Sequence, residues 1–231
     1  MELTLTPENF LHILQIGSPS LPIGAYCYSE GLEMLVENGT INDSSTLRNW
    51  LTSELTYGAI RVDAAIIKRS YECIHIQDLE NLQNWNHWLS AFRETEEMRA
   101  ASWQMGNSFV SLLKNLIPES SDLLRLINSC QYPINYPIAY SLACSHWHIQ
   151  IHTALLAYLH SWLTNLITSS VKLIPLGQTI GQVLLIELQP VLIQIVSEID
   201  TMKDDDLYCC NWGLSLASMQ HETQYSRLFR S

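Results

Sequence analysis

The chain is organised around an uncharged stretch, Leu126–Val171, which reads LINSCQYPINYPIAYSLACSHWHIQIHTALLAYLHSWLTNLITSSV. None of its 46 residues is Asp, Glu, Lys or Arg. Pro133 and Pro137 interrupt its first half, and helical patterns follow over 138–146 and 149–170. A transmembrane hairpin is one interpretation of so apolar a stretch. Its histidines, its prolines and the lack of basic flanks instead favour a helix enclosed by other helices, or an oligomer interface.

Helical patterns also occupy most of the remaining sequence. Capping residues and prolines predict helices from Pro7 behind a Thr6 cap, from Asp43 to at least Arg69, from Asp78 to Phe92, from Arg93 to Ile117 and from about Leu176 to Ile199. The sequence has no alternating strand pattern of useful length, no repeat and no low-complexity linker. It therefore predicts one all-α domain, a multi-helix bundle spanning residues 1–231.

Composition limits the classes of function. Hydrophobic residues make up 47% of the 231 residues and charged residues only 15%, so an extensive oligomer or complex interface is expected to bury part of the apolar surface. The net charge of −11 argues against nucleic-acid binding. The first residues lack a signal-peptide layout, and the six cysteines form no CxxC pair. We therefore expect a cytoplasmic protein that does not span a membrane.

A second stretch, Ser18–Glu33, reads SPSLPIGAYCYSEGLE and combines a proline loop with a helical pattern after Gly24. On that helix the expected apolar face is Tyr28, Leu32, Leu35 and Val36, and the expected polar face is Tyr26, Glu30, Glu33 and Glu37. Gly31 would lie inside the helix, at a cost of roughly 1 kcal/mol relative to alanine. Such a glycine suggests either close backbone approach or a surface for a partner.

Histidine spacing offers a candidate metal site. His148 and His152 lie four residues apart, and Cys144 lies four residues before His148, so one helix face can present all three to a transition metal. The alternative is that these rings make hydrogen bonds in a core or an interface. Motifs for nucleophilic catalysis, phosphate binding and dinucleotide binding are absent from the sequence, so nothing identifies an enzyme.

Three further segments make unusual local demands. The segment Glu97–Gly106 reads EMRAASWQMG, and Arg93 and Glu97 are spaced as a surface ion pair. The segment Lys172–Gln182 reads KLIPLGQTIGQ, in which glycines four residues apart let helix backbones approach. The tail 218–231 reads SMQHETQYSRLFRS and carries aromatic, leucine and arginine side chains suited to docking a partner.

These four segments, in this order, resemble the UreF family of urease accessory proteins. The resemblance implies an all-α fold, a homodimer, and a complex with an accessory protein of the UreD (UreH) type. It further implies recruitment of the GTPase UreG and delivery of nickel to apo-urease, with nickel handled transiently and no cofactor bound tightly. The protein would then be a metallochaperone component and GTPase regulator, not an enzyme.

The resemblance also implies roles for individual residues. The expected partner-binding residues are Tyr26, Ser29, Glu30, Glu33, His221, Glu222, Tyr225, Ser226, Arg227 and Leu228. The expected dimer or core motif is Lys172, Pro175, Gly177, Gln178, Gly181 and Gln182. The tail is expected to become ordered when the UreD-like partner binds. Cys144, His148 and His152 are not part of the family pattern, and an autonomous nickel-binding protein that uses them remains the alternative.

Overall fold

Helices make up 76% of the chain that the computed structural model describes, which is residues 6–118, 122–130, 133–209, 212–221 and 227–230. The α-helices are α1 (Pro7–Ile16), α2 (Leu32–Glu37), α3 (Ser44–Tyr57), α4 (Ala59–His75), α5 (Leu79–Phe92), α6 (Glu96–Leu116), α7 (Asp122–Ser129), α8 (Tyr136–His146), α9 (Ile151–Leu173), α10 (Gln178–Ile199) and α11 (Trp212–His221). Short 3-10 turns span Ala25–Cys27 and Asp204–Asp206. Within the described ranges there is no β-strand, so the all-α prediction is confirmed.

Several helix boundaries follow the capping signals. The Thr6 hydroxyl accepts a hydrogen bond from the Asn9 backbone N–H at 3.2 Å, and the Asp78 carboxylate caps α5 in the same way. The prediction that one helix begins at Arg93 is wrong, because the Thr95 side chain caps the N-terminus of α6.

The predicted continuous helix from Asp43 to Arg69 is also wrong. Gly58 separates α3 from α4 and has an extended backbone, with ψ 176°. A Cβ atom at Gly58 would overlap the Glu54 backbone, so the turn between α3 and α4 requires glycine at this position.

Helix α8 is the enclosed helix that the uncharged stretch predicts. It packs between α4 and α6, and every side chain from Pro137 to Cys144 is buried. Its polar groups are satisfied internally: the Tyr140 hydroxyl donates to the Ala154 carbonyl at 3.1 Å, and Ser141 donates to the Ile138 carbonyl at 2.8 Å. The lack of charge in α8 is therefore explained by burial.

Helix α9 continues the uncharged stretch and packs against α10, α4 and α2. A Cβ atom at Gly181 of α10 would lie 3.1 Å from Ile167 and 3.4 Å from Val171 of α9, so this glycine allows the two helices to approach closely. By length and composition, α10 is the one helix among the described residues that meets the requirements for crossing a membrane. This is weak evidence for a membrane span, because core helices of globular proteins meet the same requirements.

Helix α2 is bounded by two glycines with left-handed backbones. Gly31 precedes it with φ 80°, and Gly39 follows it with φ 77°. Around Gly31 the space is filled, because a Cβ atom there would lie 3.1 Å from the Leu214 methyl group and 3.4 Å from the Ser218 nitrogen of α11. Around Gly39 it is open, since no atom lies within 4 Å of a Cβ position. The close backbone approach that the sequence suggested at Gly31 is therefore its contact with α11.

We predict that Gly31→Ala destabilises the protein more than Gly39→Ala. Both alanines must adopt a left-handed backbone, at about 1–2 kcal/mol each, but Gly31→Ala also pushes against α11, which adds about 1 kcal/mol or more. Urea unfolding followed by circular dichroism measures both free energies of unfolding. An equal loss of unfolding free energy in the two variants would contradict the role of Gly31 in the packing of α11.

Candidate partner-docking site

The Ser18–Glu33 stretch folds as a loop, a 3-10 turn over Ala25–Cys27 and the first residues of α2. Glu30 and Gly31 are both left-handed, with φ 53° and 80°, and this reverses the chain before α2 begins. A glutamate rarely adopts this backbone, which costs about 1–2 kcal/mol. The loop thus holds Glu30 in a strained conformation.

The predicted helix through Gly31 is therefore wrong, and so is the shared polar face. Gly31 is the residue that precedes α2, and Tyr26 lies in the 3-10 turn with 61% of its surface exposed. Glu33 is buried, whereas Glu30 lines a cavity on another side of the loop. The periodicity of a continuous helix does not apply, because two left-handed residues change the direction of the chain.

Glu30 faces a partly open cavity of about 100 Å³ that Tyr28, Trp162 and Asn165 also line. The Trp162 indole N–H donates a hydrogen bond to the Glu30 carboxylate at 2.9 Å. Burial raises the pKa of Glu30 above its ordinary value of 4.5, and the bond from Trp162 offsets part of that rise. Asn165 donates to the carbonyls of Ala25 and Tyr28 and so ties the loop to α9.

A buried ion pair lies on another wall of the same cavity. One terminal nitrogen of Arg93 donates to both carboxylate oxygens of Asp63 at 2.8 Å, and the Tyr158 hydroxyl donates to Asp63 at 3.3 Å. Burial raises the pKa of Asp63, and the facing guanidinium offsets part of this effect. The predicted surface pair between Arg93 and Glu97 is therefore wrong, since Arg93 turns inward to Asp63.

Glu33 holds the C-terminal tail against the body of the protein. One carboxylate oxygen accepts a hydrogen bond from the Leu228 N–H at 2.7 Å, and the other accepts one from the Phe229 N–H at 3.0 Å. The Arg227 guanidinium pairs with Glu97 of α6 at 3.1 Å. The Arg230 N–H donates to the Cys27 carbonyl beside Tyr26 at 2.7 Å. The first motif and the tail, distant in sequence, thus form one surface.

His221 lies at the centre of these contacts and is fully buried. Its two ring nitrogens lie 3.3 Å from carboxylate oxygens of Glu33 and Glu97. The neighbouring turn of α11 is tied to α6 by a 3.0 Å hydrogen bond between the hydroxyls of Ser218 and Thr95. We call Glu33, Glu97, His221 and Arg227 the tail clamp.

The remaining predicted partner-binding residues differ in position. Ser29 is fully buried, while Leu228 projects outward from the tail. Glu222, Tyr225 and Ser226 lie outside the described residues. In this single chain Arg227–Arg230 already contact the protein, and the ordering of the tail by a partner stays a prediction.

The Lys172–Gln182 motif lies where α9 meets α10. Gly177 precedes the first turn of α10, and Gly181 faces α9, so only the second glycine of the pair allows close approach. The Lys172 ammonium lies 5.9 Å from the centre of the Phe229 ring, which links the motif to the tail. The other members of the motif are exposed: Pro175, Gln178 and Gln182.

The structure does not bring Cys144, His148 and His152 together as a metal site. Helix α8 ends at His146 and α9 begins at Ile151, so His148 lies in a turn, with φ 51°. His152 contacts Asp200 at 2.6 Å, and Cys144 is buried in the core. The prediction that one helix face presents all three side chains is therefore wrong. Over the residues that the structure describes, no group of three or more His, Cys, Asp or Glu side chains is placed to hold a metal ion.

Sequence reasoning missed Asp63, Trp162 and the inward direction of Glu33. Asp63 stands beside the apolar run Ala64–Ile67, and a lone acidic residue on an apolar helix face indicates a buried partner. Glu33 and Trp162 carry no comparable signal, because their contacts lie in segments remote along the chain.

We predict that Glu30→Gln stabilises the protein near neutral pH. Since the pKa of Glu30 is raised on folding, this carboxyl favours folding below 4.5, and the contribution is lost as the pH rises through the raised pKa. Glutamine carries no charge and keeps an oxygen for Trp162, so its free energy of unfolding should exceed that of wild type by about 1 kcal/mol or more at neutral pH. Urea unfolding as a function of pH measures the difference, which should shrink toward pH 4.5.

The exposed Glu80 of α5 offers a matched control, because Glu80→Gln removes the same charge from the surface. The expected result is no comparable gain in this variant. A Glu30→Gln protein that is less stable than wild type at neutral pH would contradict the account of the cavity.

Comparison with known proteins places this chain in a family. The UreF family model matches residues 41–189. A urease accessory protein UreF from Trichormus variabilis is 60% identical over 229 residues, covering 99% of each chain. UreF proteins from Microcystis aeruginosa and Hahella chejuensis are 49% and 34% identical, each covering 98% of this chain and 100% of the relative. The chain belongs to the UreF family of urease accessory proteins.

Proposed function

We propose that the protein is a non-catalytic component of nickel insertion into apo-urease. In this proposal it bridges a UreD (UreH)-like accessory protein and a UreG-like GTPase and regulates GTP-dependent delivery. Family membership supports the setting in urease maturation. The observation that carries the bridging role is the joint surface formed by the exposed Tyr26 and the clamped tail.

This surface has the composition of a docking site. The 3-10 turn, α11 and the tail pack on one another or on α2. Together they expose four large apolar side chains: Tyr26, Leu216, Met219 and Leu228. We call them the tail face. Aromatic side chains and methionine are enriched in interface cores, and arginine often anchors their binding. We propose that the tail face receives the UreD-like partner.

We predict that Tyr26→Ala and Arg227→Ala weaken the complex with the UreD-like protein at least about tenfold without unfolding the chain. The first removes an exposed aromatic side chain, and the second frees the tail from Glu97. Co-purification after co-expression, followed by calorimetric titration, measures the effect. Tyr57→Ala is the matched control, because Tyr57 is 60% exposed on α3. Unchanged recovery of both partners with the Arg227 variant would falsify the role of the tail.

We further propose that the protein is a homodimer that joins through α10. Its outward face carries an apolar stripe at spacings of three or four residues, namely Ile180, Val183, Ile186, Pro190 and Ile193. In a chain with net charge −11, an uncharged surface is one that a second copy can meet without charge repulsion. The flanking Glu187 is paired with Arg48 at 3.5 Å.

We predict that Ile186→Asp converts the dimer to a monomer. Ile186 is 65% exposed at the middle of the stripe, and a carboxylate there faces its own copy across the two-fold axis. Sedimentation velocity measures the oligomeric state. Ile76→Asp is the control, because Ile76 is 73% exposed beyond the end of α4 and outside the stripe. A dimer that persists in the Ile186 variant places the interface elsewhere.

Nickel, in this proposal, is a cargo that the assembled complex handles transiently, and the chain holds no tightly bound cofactor. The separation of Cys144, His148 and His152 supports this reading over autonomous nickel binding. Five described cysteines are free thiols, which supports a reducing, cytoplasmic setting. The acidic net charge supports protein partners over nucleic acid.

A further inference from the structure

The cavity beside the Ser18–Glu33 loop reaches the surface at the tail face. Its volume of about 100 Å³ is enough for several water molecules or for the end of one long side chain. Two of the side chains that line it, Pro19 and Tyr26, are exposed, so the cavity opens to solvent next to them. Because Tyr26 also belongs to the tail face, a partner that covers Tyr26 covers the mouth of the cavity.

The charges that line this cavity are mostly acidic. The described lining carries three acidic side chains and one basic one: Glu30, Glu54, Asp63 and Arg93. Arg93 is paired with Asp63, and no Lys, Arg or His of the described residues forms an ion pair with Glu30. Burial is the main cause of the raised pKa of Glu30, and beyond it Asp63 raises this pKa more than Arg93 lowers it. The pair therefore adds to the negative potential at Glu30.

The other walls of the cavity suit an organic cation. Five aromatic side chains line it: Tyr26, Tyr28, Tyr136, Tyr158 and Trp162. Aromatic rings attract ammonium and guanidinium groups, and several rings around one pocket are a recurring way of recognising a cation. A metal ion is less well suited, because no three His, Cys, Asp or Glu side chains of the described residues are placed to hold one.

Glu30 is unfavourable for the stability of the free chain in two respects. Its left-handed backbone, with φ 53°, strains a glutamate, and its burial disfavours the charged form. Strained residues of this kind are concentrated at binding sites. A cation that enters the cavity and pairs with Glu30 offsets the burial of its charge.

We propose that this cavity receives a basic side chain of the UreD-like partner, an arginine in preference to a lysine, with Glu30 as its counter-ion. A guanidinium group pairs with a carboxylate through two parallel hydrogen bonds and stacks on aromatic rings, whereas an ammonium group is a point charge. The net charge of −11 also favours a basic surface on the partner. This role of Glu30 rests on the proposed docking function and adds the chemical class of the anchor.

Calorimetric titration of the full-length protein with the UreD-like protein tests the role of Glu30. Glu30→Gln should weaken binding at least about tenfold, although the free variant is expected to be more stable than wild type. These opposite effects separate a contact with the partner from a structural role. Glu80→Gln on α5 is the matched control, because Glu80 is exposed, and it should bind as wild type does. Wild-type affinity in a folded Glu30→Gln protein overturns the proposal.

Substitutions in the partner provide a second test. Each Lys and Arg of the UreD-like protein is replaced in turn by Gln and titrated against wild type and against Glu30→Gln. We expect one arginine whose replacement weakens binding to wild type at least about tenfold but binding to Glu30→Gln less than about twofold, since both changes remove the same contact. If wild type requires no basic side chain of the partner, the proposal is overturned without any variant of this chain.

Two comparisons separate the anchor from a metal ion and from the docking function. The titrations are repeated with EDTA, and a dependence on Glu30 that EDTA abolishes assigns the cavity to a metal ion and overturns the basic side chain. If Arg227→Ala weakens binding but Glu30→Gln does not, the docking function stands and the anchor fails. If wild type does not bind the UreD-like protein at all, the docking function fails and the anchor fails with it.

Discussion

The structure depends on the burial of α8, a helix with no charged side chain that is enclosed by α4 and α6. At the start of α8, Asn135 is the centre of a buried hydrogen-bond network. Its backbone N–H donates to the Asn86 side chain at 2.9 Å, and its amide oxygen accepts from the Ser102 hydroxyl at 3.0 Å. A Cβ atom at Gly106 would overlap the Ile134 carbonyl oxygen, so α6 approaches this point closely. These contacts align α5, α6 and α8, and α6 in turn carries Glu97 to the tail clamp.

Several charged side chains that are wholly or partly buried lie around the Ser18–Glu33 loop, outside the uncharged centre. Asp63 with Arg93, Glu30 with Trp162, and Glu33 with His221 lie in or beside it. A buried carboxylate is costly unless donors satisfy it, and here each one meets donors from a different helix. The loop is thus held in place by interactions with α9 and α11, and this fixes the position of Tyr26 at the surface.

Much of the fold could be predicted from the sequence, because its signals are local. Thr6 and Asp78 cap their helices as predicted, and the lack of charge over Leu126–Val171 correctly indicated enclosure. For the candidate site, only its two segments could be predicted, Ser18–Glu33 and the tail, and not the contacts that join them. Left-handed residues at Glu30 and Gly31 end the helical periodicity, so the inward direction of Glu33 follows from contacts with Leu228 and Phe229, nearly two hundred residues away.

The balance of free energies shows how few contacts decide the position of the tail. Ordering the backbone of Arg227–Arg230 costs about 6 kcal/mol at roughly 1.5 kcal/mol per residue. Two backbone N–H groups on the Glu33 carboxylate and the burial of Phe229 together return about 6 kcal/mol. Docking is therefore close to balance before the ion pairs are counted. The Glu33 carboxylate supplies most of the gain, so the docked position of Arg227–Arg230 depends most on this one side chain.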